Sequence, residues 1–365
     1  MSEEIDFSRK RQEVGTQFIK CDACGGNMSF DPVTQKLKCE HCGNTTDIKK
    51  NFDVKENDIE KGFENAEKWD PKEQVTYRCE NCGAVVVVGA DEEATMCPFC
   101  GTSHVIRAED LAGIKPQVVI PFQFGADKAG EYSRKWAKGR LFAPRKFKKS
   151  LVSENFRGVY EPCFTFDSNT VSRYEGRVGD RHTRTVGSGK NRRTETYYVY
   201  RNVSGQFEYF FDDVMVATND NFGQSMMDKL SPFKTKAACV FESKYLSGYY
   251  ADRYRKDLKE SWGDAKGIID RNLRSMIKST LHCDVVQYLN VYTQHSGVTY
   301  KYVLLPIYMH QYRFRKKNYP VYINGSTGKV KGKTPVSPLR VAIASVLGAA
   351  IAIALYILIF GILGK

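Results

Sequence analysis

Eight of the eleven cysteines stand in two matching frames. Cys21, Cys24, Cys39 and Cys42 make the first, and Cys79, Cys82, Cys97 and Cys100 make the second. Each frame reads CxxC, fourteen residues, CxxC, and the second follows the first at an offset of 58 residues. Four thiolates converging on one point are what a tetrahedral Zn²⁺ ion requires, so the spacing predicts two zinc ions per chain. Two residues between cysteines make a tight knuckle, and the spacer is long enough for a hairpin that returns the second knuckle to the first. Glycine follows the second cysteine of every knuckle, as Gly25, Gly43, Gly83 and Gly101. Glycine there allows a positive φ, which turns backbone amides towards the sulfur. With four protein ligands each, both sites are expected to be closed and structural, with no open position for catalysis. His41 and His104 lie beside the frames and are not needed as ligands. Iron in a four-thiolate site is the chemical alternative. Disulfides would suit a secreted chain, but Met1–Lys20 has no apolar signal-peptide core. A redox CxxC would not need four copies in paired frames.

These thiols need small hairpins to carry them and a larger body to hold the hairpins. The pattern predicts a polar tail over 1–17, a first zinc ribbon over 18–48, a linker over 49–74 and a second ribbon over 75–110. Within the first ribbon, Asn27–Phe30 and Lys36–Cys39 read as strands joined by a turn at Asp31-Pro-Val-Thr-Gln35. Within the second, Val85–Val88 is a β-branched run followed by an acidic turn at Asp91–Glu93. The linker contains Trp69-Asp70-Pro71 and has room for a short helix.

Residues 111–335 are expected to form an α+β body, mostly antiparallel sheet with one long helix. Val118–Phe122 reads as a strand, and Asp127 as the N-cap of a helix running to about Lys138. Gly158–Phe166 is strand-like but contains Pro162, which suggests an edge strand or a bulge. Residues 170–178 and 194–213 alternate aromatic and polar side chains like antiparallel hairpins, around a basic, glycine-rich loop over 179–193. Tyr245 to about Leu281 is the longest helical pattern. Strands are expected over 283–293, 298–310 and 319–324, with a turn at Asn324–Lys329. Gly158–Phe164 and Tyr302–Tyr308 echo each other and suggest a duplicated sheet motif.

The last element is of another kind. Val341–Leu363 is 23 residues without a charge. As a helix it would span about 34 Å, against a hydrocarbon core of roughly 30 Å. A soluble core helix rarely runs six turns without a charge on any face, so the segment predicts a C-terminal transmembrane helix over 339–363. Lys329, Lys331, Lys333 and Arg340 crowd its N-terminal flank. The positive-inside rule then places residues 1–339 on the cytoplasmic side of a cell membrane, as a tail-anchored protein. Ala344, Gly348, Ala349 and Ala350 offer a small-residue face for another helix, and with it a homo- or hetero-oligomer.

The chain carries +13 overall, but residues 1–110 carry −8 and the rest +21. An acidic ribbon region repels phosphate, which argues against nucleic acid as its partner. The basic runs Lys128–Lys149 and Arg313–Lys317 suit anionic lipid headgroups. Aromatics interleaved in those runs keep DNA or RNA binding as the alternative. Cys163, Cys239 and Cys283 stand in apolar settings and read as small buried hydrophobes. No nucleotide-binding motif, HExxH or ordered triad is present, and His282-Cys283, as strand neighbours, would point to opposite faces. The chain is therefore expected not to be an enzyme. Nothing in the sequence marks a ligand pocket for a sensor.

A family resemblance rests on specific residues. They are Cys21-Asp-Ala-Cys-Gly-Gly26 with Asp31-Pro32 and Leu37-Lys-Cys39, then Cys97-Pro-Phe-Cys-Gly101, Pro121-Phe122 and Phe142-Ala-Pro144. Gly158–Pro162, Tyr302–Tyr308 and Tyr322–Val330 with Gly332 and Pro335 complete them. Across nearly its whole length the chain resembles a bacterial family of membrane-anchored double-zinc-ribbon proteins. Such proteins are labelled transcription-factor-IIB-type zinc ribbon proteins, or relatives of the primosomal helicase protein N′. The resemblance implies a membrane adaptor acting in envelope stress, which recruits SPFH-domain and phage-shock-type protein partners.

Overall fold

The computed structural model describes residues 19–65, 74–80, 84–89, 97, 105–108, 114–219, 222–315 and 317–363. The architecture is α+β, and most strand pairs are antiparallel. The first cysteine frame folds into its own four-stranded sheet. Strands β1 (Ile19–Lys20), β2 (Asn27–Asp31), β3 (Lys36–Cys39) and β4 (Thr45–Asp47) lie in sequence order. The β2–β3 turn closes because Asp31 accepts from Val33 N–H at 3.0 Å and from the Thr34 hydroxyl at 2.8 Å. The linker adds β5 (Asn57–Asp58), which pairs with the body, and helix α1 (Ile59–Asn65). Trp69-Asp70-Pro71 lies outside the described residues.

The second frame supplies β6 (Gln74–Cys79), β7 (Val85–Gly89) and β8 (Val105–Ala108). The β6–β7 pairing repeats the register of β1–β2 at two positions, while β6 also pairs with β8, which has no counterpart in the first ribbon. Ile19 opposes Met28 and Lys20 opposes Asn27 in β1–β2. Tyr77 opposes Val86 and Arg78 opposes Val85 in β6–β7, each at the same 58-residue offset. The two ribbons differ in how they attach. The β6–β7–β8 group joins the twelve-stranded body sheet through β7, whereas the first ribbon keeps a separate sheet.

The body begins with β9 (Val118–Val119), α2 (Ala126–Lys138) and α3 (Arg145–Lys149). Gly125, not Asp127, caps α2, and no side chain bonds the helix start. Three long strands then dominate: β10 (Arg157–Val186), β11 (Arg193–Ala217) and β14 (Val285–Phe314). β10 lies between the other two, antiparallel to both, from Cys163 to Gly179. The loop expected over 179–193 is thus mostly strand, with the reversal confined to 187–192. The two strands expected at 283–293 and 298–310 are one, because Gly297 absorbs an irregularity at φ +59° without breaking the ladder. Gly158–Phe164 and Tyr302–Tyr308, the echoing segments, pair with each other: Gly158 opposes Tyr308 and Phe164 opposes Tyr302. Pro162 is not on an edge strand. It sits where the second neighbour of β10 changes, after Tyr160 pairs with β13 and before Cys163 pairs with β11, so its missing N–H breaks no ladder.

Between β11 and β14 come α4 (Gln224–Leu230), β12 (Cys239–Val240), β13 (Tyr250–Asp252) and α5 (Leu258–Thr280). The helix expected from Tyr245 starts only at Leu258. Gly248 at φ +85° turns the chain, and β13 enters the sheet between β10 and β7. Asp257 and Glu260 then form a capping box, with bonds of 2.7 and 3.1 Å. α5 buries Leu258, Ser261, Ala265, Ile269, Leu273 and Ile277 in one stripe. That stripe packs on β11, β14 and β10, where the face of β10 carries the small residues Ser168, Thr170, Ser172 and Gly176 with Tyr174 among them. The opposite face of the same stretch, with Arg173, Glu175 and Arg177, is open to solvent.

Beyond the end of α5 the β10–β11 hairpin continues uncovered to Val186 and Arg193. From Val159 to Val186 the strand covers roughly 90 Å at the usual rise per residue, so the body has a root and a long arm. The root carries everything else: β13, β15 (Lys317–Asn324), β16 (Val330–Gly332) and finally α6 (Pro338–Leu363).

Candidate metal centre

The first ribbon brings Cys21, Cys24, Cys39 and Cys42 together, with all four sulfurs within 4.8 Å of one another. Cys21 Sγ lies 3.7 Å from Cys42 Sγ, and Cys24 Sγ lies 3.6 Å from Cys39 Sγ. Those separations are far beyond a disulfide bond. They match the edge of a thiolate tetrahedron around a metal, roughly 3.8 Å for metal–sulfur bonds of roughly 2.3 Å. The donor set, its spacing and its geometry therefore fit a metal ion.

The knuckles are built as the glycine pattern requires. Gly25 adopts φ +70° and Gly43 φ +75°. Each donates its N–H to the first cysteine of its knuckle, Gly25 to Cys21 O at 2.8 Å and Gly43 to Cys39 O at 3.0 Å. The chain closes behind each loop, where Cys21 N–H meets Gly26 O and Cys39 N–H meets Asn44 O, both at 2.8 Å. Gly26 is tight for another reason: a Cβ there would lie 3.3 Å from the sulfurs of both Cys24 and Cys39.

The thiols do not share one charge state. The amide of Ala23 holds Cys21 down to about 6, against the effect of burial. The amide of Gly26 pulls Cys24 down too, but the thiols of Cys42 and Cys39 push it up to about 12. Four thiolates this close repel one another, and a bound cation removes that conflict.

Of the second frame, Cys79 and Cys97 are described and both are buried. Cys82 and Cys100 lie outside the described residues, as do His104 and the Asp91–Glu93 turn. Cys79 N–H donates to Ala84 O at 2.8 Å, the counterpart of the Cys21–Gly26 closure. Cys163 and Cys239 are buried as expected of small hydrophobes, and burial pushes the Cys163 thiol up. Cys283 is only half-buried. His282 takes φ +43° in the turn before β14, so His282-Cys283 is not on a strand.

The structure also assembles a polar cluster that the sequence did not announce. Lys301 Nζ lies 2.9 Å from Asp213, 3.0 Å from Glu56 and 3.8 Å from Asp167. Asp167, Asp212 and Asp213 sit close enough for a cation, but the lysine ammonium already supplies the positive charge. Burial, then Glu56, lifts Asp167 to about 6, although the Asp213 amide opposes it. Burial alone would lower Lys301, yet Asp213 and Glu56 hold it above its ordinary value. The cluster borders a cavity of about 310 Å³ between the linker residues Phe52 and Val54 and the body residues Val118, Ile120 and Met215.

At the C-terminus, α6 is 26 residues long and apolar enough to cross a membrane. Every described side chain from Val341 to Ile357 is exposed.

No family model matches the chain, and no solved structure matches it. An uncharacterized protein of Bacillus subtilis (strain 168), YdjG, is 31% identical over 333 residues, which is 88% of this chain and 91% of that protein.

Proposed function

The chain belongs to the family of the Bacillus subtilis protein YdjG, and we propose that it is an adaptor, anchored by α6, that gathers protein partners at the cytoplasmic face of the membrane. The observation that carries this reading is α6. A helix of 26 residues, about 39 Å long, leaves its apolar side chains from Val341 to Ile357 without cover from the described residues. Lipid is the solvent that suits it. The Cys–Gly frames support the resemblance to the double-zinc-ribbon family, and from that resemblance the proposal takes envelope stress as its setting and SPFH-domain and phage-shock-type proteins as its partners.

Zinc is the metal that this four-thiolate geometry suits best, with one ion in each frame. The repeated β-pairing and the Cys79–Ala84 closure support a second site at Cys79, Cys82, Cys97 and Cys100. Zinc contributes folding free energy to ribbons too small for a full core of their own. The first ribbon docks on Tyr245, Ser247 and Phe122 and the second pairs with β13, all at the root of the body.

Two measurements test the reading. Elemental analysis of the purified protein should give two zinc atoms per chain, and Cys21→Ser should lower that to about one. The full-length protein should resist alkaline carbonate extraction from membranes; full extraction would overturn the anchor. Affinity purification from membranes, read by mass spectrometry, then tests for envelope-stress partners.

A second reading is favoured by the arm. Its outer hairpin exposes Arg181, Arg184, Arg192 and Arg193 beside Tyr197, Tyr198 and Tyr200, a surface of the kind that stacks on bases and meets phosphates. Salt-sensitive gel shifts of DNA or RNA by the detergent-solubilised protein would favour this nucleic-acid reading.

A further inference from the structure

The connection between α2 and α3 is tied to the first turn of α6. Ser337 N–H donates to Phe142 O at 2.8 Å, and the Arg340 guanidinium donates to Leu141 O at 2.9 Å. These bonds hold residues 140–142 level with the boundary where the charge-free run of α6 begins. At that level the chain exposes two large apolar side chains, Leu141 at 72% and Phe142 at 44%. Their neighbours are not loose. Ala143 is buried, and Phe147 is fully buried against Tyr312, with ring centroids 5.2 Å apart. The loop is a rigid prominence with an apolar tip.

The sequence on both sides of that tip is strongly basic, between Glu131 and Glu154. Residues 132–153 and 311–340, the two stretches brought together by the Phe147–Tyr312 and Phe142–Ser337 contacts, hold sixteen Lys or Arg and no Asp or Glu. An apolar tip on a basic stretch, bonded to Arg340 beside a helix long and apolar enough to cross a membrane, has the pattern of an interfacial anchor. Such elements bury apolar side chains about 5–10 Å into the boundary between headgroups and acyl chains, and each nearby cation contributes roughly 1 kcal/mol on an anionic surface.

The geometry points to the Arg140–Ala143 loop as a second membrane contact, in which Leu141 and Phe142 enter the headgroup region of an anionic phospholipid leaflet beside α6. This inference rests on α6 being a membrane anchor. It adds that the body is clamped in one attitude on the leaflet rather than swinging from a tether. Two fixed points, the α6 entry and the loop, remove the free rotation that one anchor alone would leave.

The test uses full-length protein reconstituted in vesicles of phosphatidylcholine and phosphatidylglycerol, with or without bromine on the acyl chains near the headgroup. Leu141→Trp places a fluorophore at an exposed position, where it disturbs no packing. The difference spectrum against the parent protein, which has three tryptophans, isolates the added emission. That emission should be blue-shifted and should lose most of its intensity to the brominated lipid. Tyr198→Trp, on the arm, should show no such loss. Vesicles of phosphatidylcholine alone should weaken the quenching. Unquenched emission from Leu141→Trp in protein that still resists carbonate extraction would overturn the loop contact and leave the anchor standing. Extraction by carbonate would overturn the anchor itself. Equal quenching in both lipid compositions would overturn the assignment to anionic lipid.

Discussion

At the scale of single residues, His310 shows what burial does to a titrating group. Its ring lies against Phe156, Nε2 is 3.2 Å from the Ser150 hydroxyl and Nδ1 is 3.3 Å from Asn155 O. Burial lowers its pKa from 6.5 to about 4, against the weaker pull of the Asn155 carbonyl. The unfolded chain therefore takes up a proton before the folded one does. Stability is fully present above pH 6.5 and drains away as the pH falls towards 4, by up to about 3 kcal/mol. Asp167, lifted to about 6, works in the opposite direction over part of the same window. The net slope thus mixes both groups, and a variant separates them. His310→Gln should flatten the fall in melting temperature between pH 7 and pH 5; an identical fall in the parent would show that His310 does not drive it. The two kinds of site differ in how readable they were. The cysteine frame is local, with two and fourteen residues between successive ligands and a glycine marking each turn, so chemistry and position appear in one line of sequence. Lys301 meets Glu56, Asp167 and Asp213 only because β5, β10 and β11 bring distant segments to one place, and no spacing records that.

At the scale of elements, the first ribbon is held by more than its thiols. Phe30 stands edge-on to Tyr245 at 5.4 Å, and Tyr249 stacks on Phe122 at 4.4 Å. Ser247 Oγ donates to Met28 O at 2.6 Å, Phe30 N–H donates to Ser247 O at 2.8 Å, and Gln35 Nε2 donates to Phe122 O at 2.7 Å. The tyrosines at 245 and 249, which fall within the helix expected from Tyr245 to about Leu281, instead form the seat of the ribbon. A periodicity of three and four cannot distinguish a helix face from a turn whose aromatics all point into one core, and Gly248 decided the outcome through its positive φ. Phe30 is 2% exposed, so Phe30→Ala should weaken the seat by about 3–5 kcal/mol. Because Phe30 ligates nothing, metal content should not change. Limited proteolysis should then cut within residues 49–56 and release a metal-loaded ribbon. Loss of metal together with the cut would mean that Phe30 supports the centre itself and not its docking.

At the scale of the whole molecule, stability and reach reside in different places. The root combines the aromatic core, both ribbons, the Lys301 cluster and the start of α6, so it holds nearly all the buried apolar surface. The outer arm is a two-stranded ribbon exposed on both faces, with Arg184 paired to Glu195 and His182 stacked on Tyr197 at 5.6 Å. Surface pairs of that kind contribute under about 1 kcal/mol each. Alternating aromatic and polar residues made these strands legible one by one. Their union into strands of 30 and 25 residues was not, because length in a sheet depends on a partner that runs just as far. If the protein is the adaptor proposed above, an element that contributes little to stability and is built so long is a candidate for its contact surface. Replacing residues 184–195 with a two-residue Asn-Gly turn should therefore shift unfolding by no more than roughly 0.5 kcal/mol. The shortened protein should keep the parent's metal content and its fractionation with membranes. What it should lose is co-purifying protein from solubilised membranes. An unchanged set of partners would move the adaptor surface from the arm to the ribbons at the root.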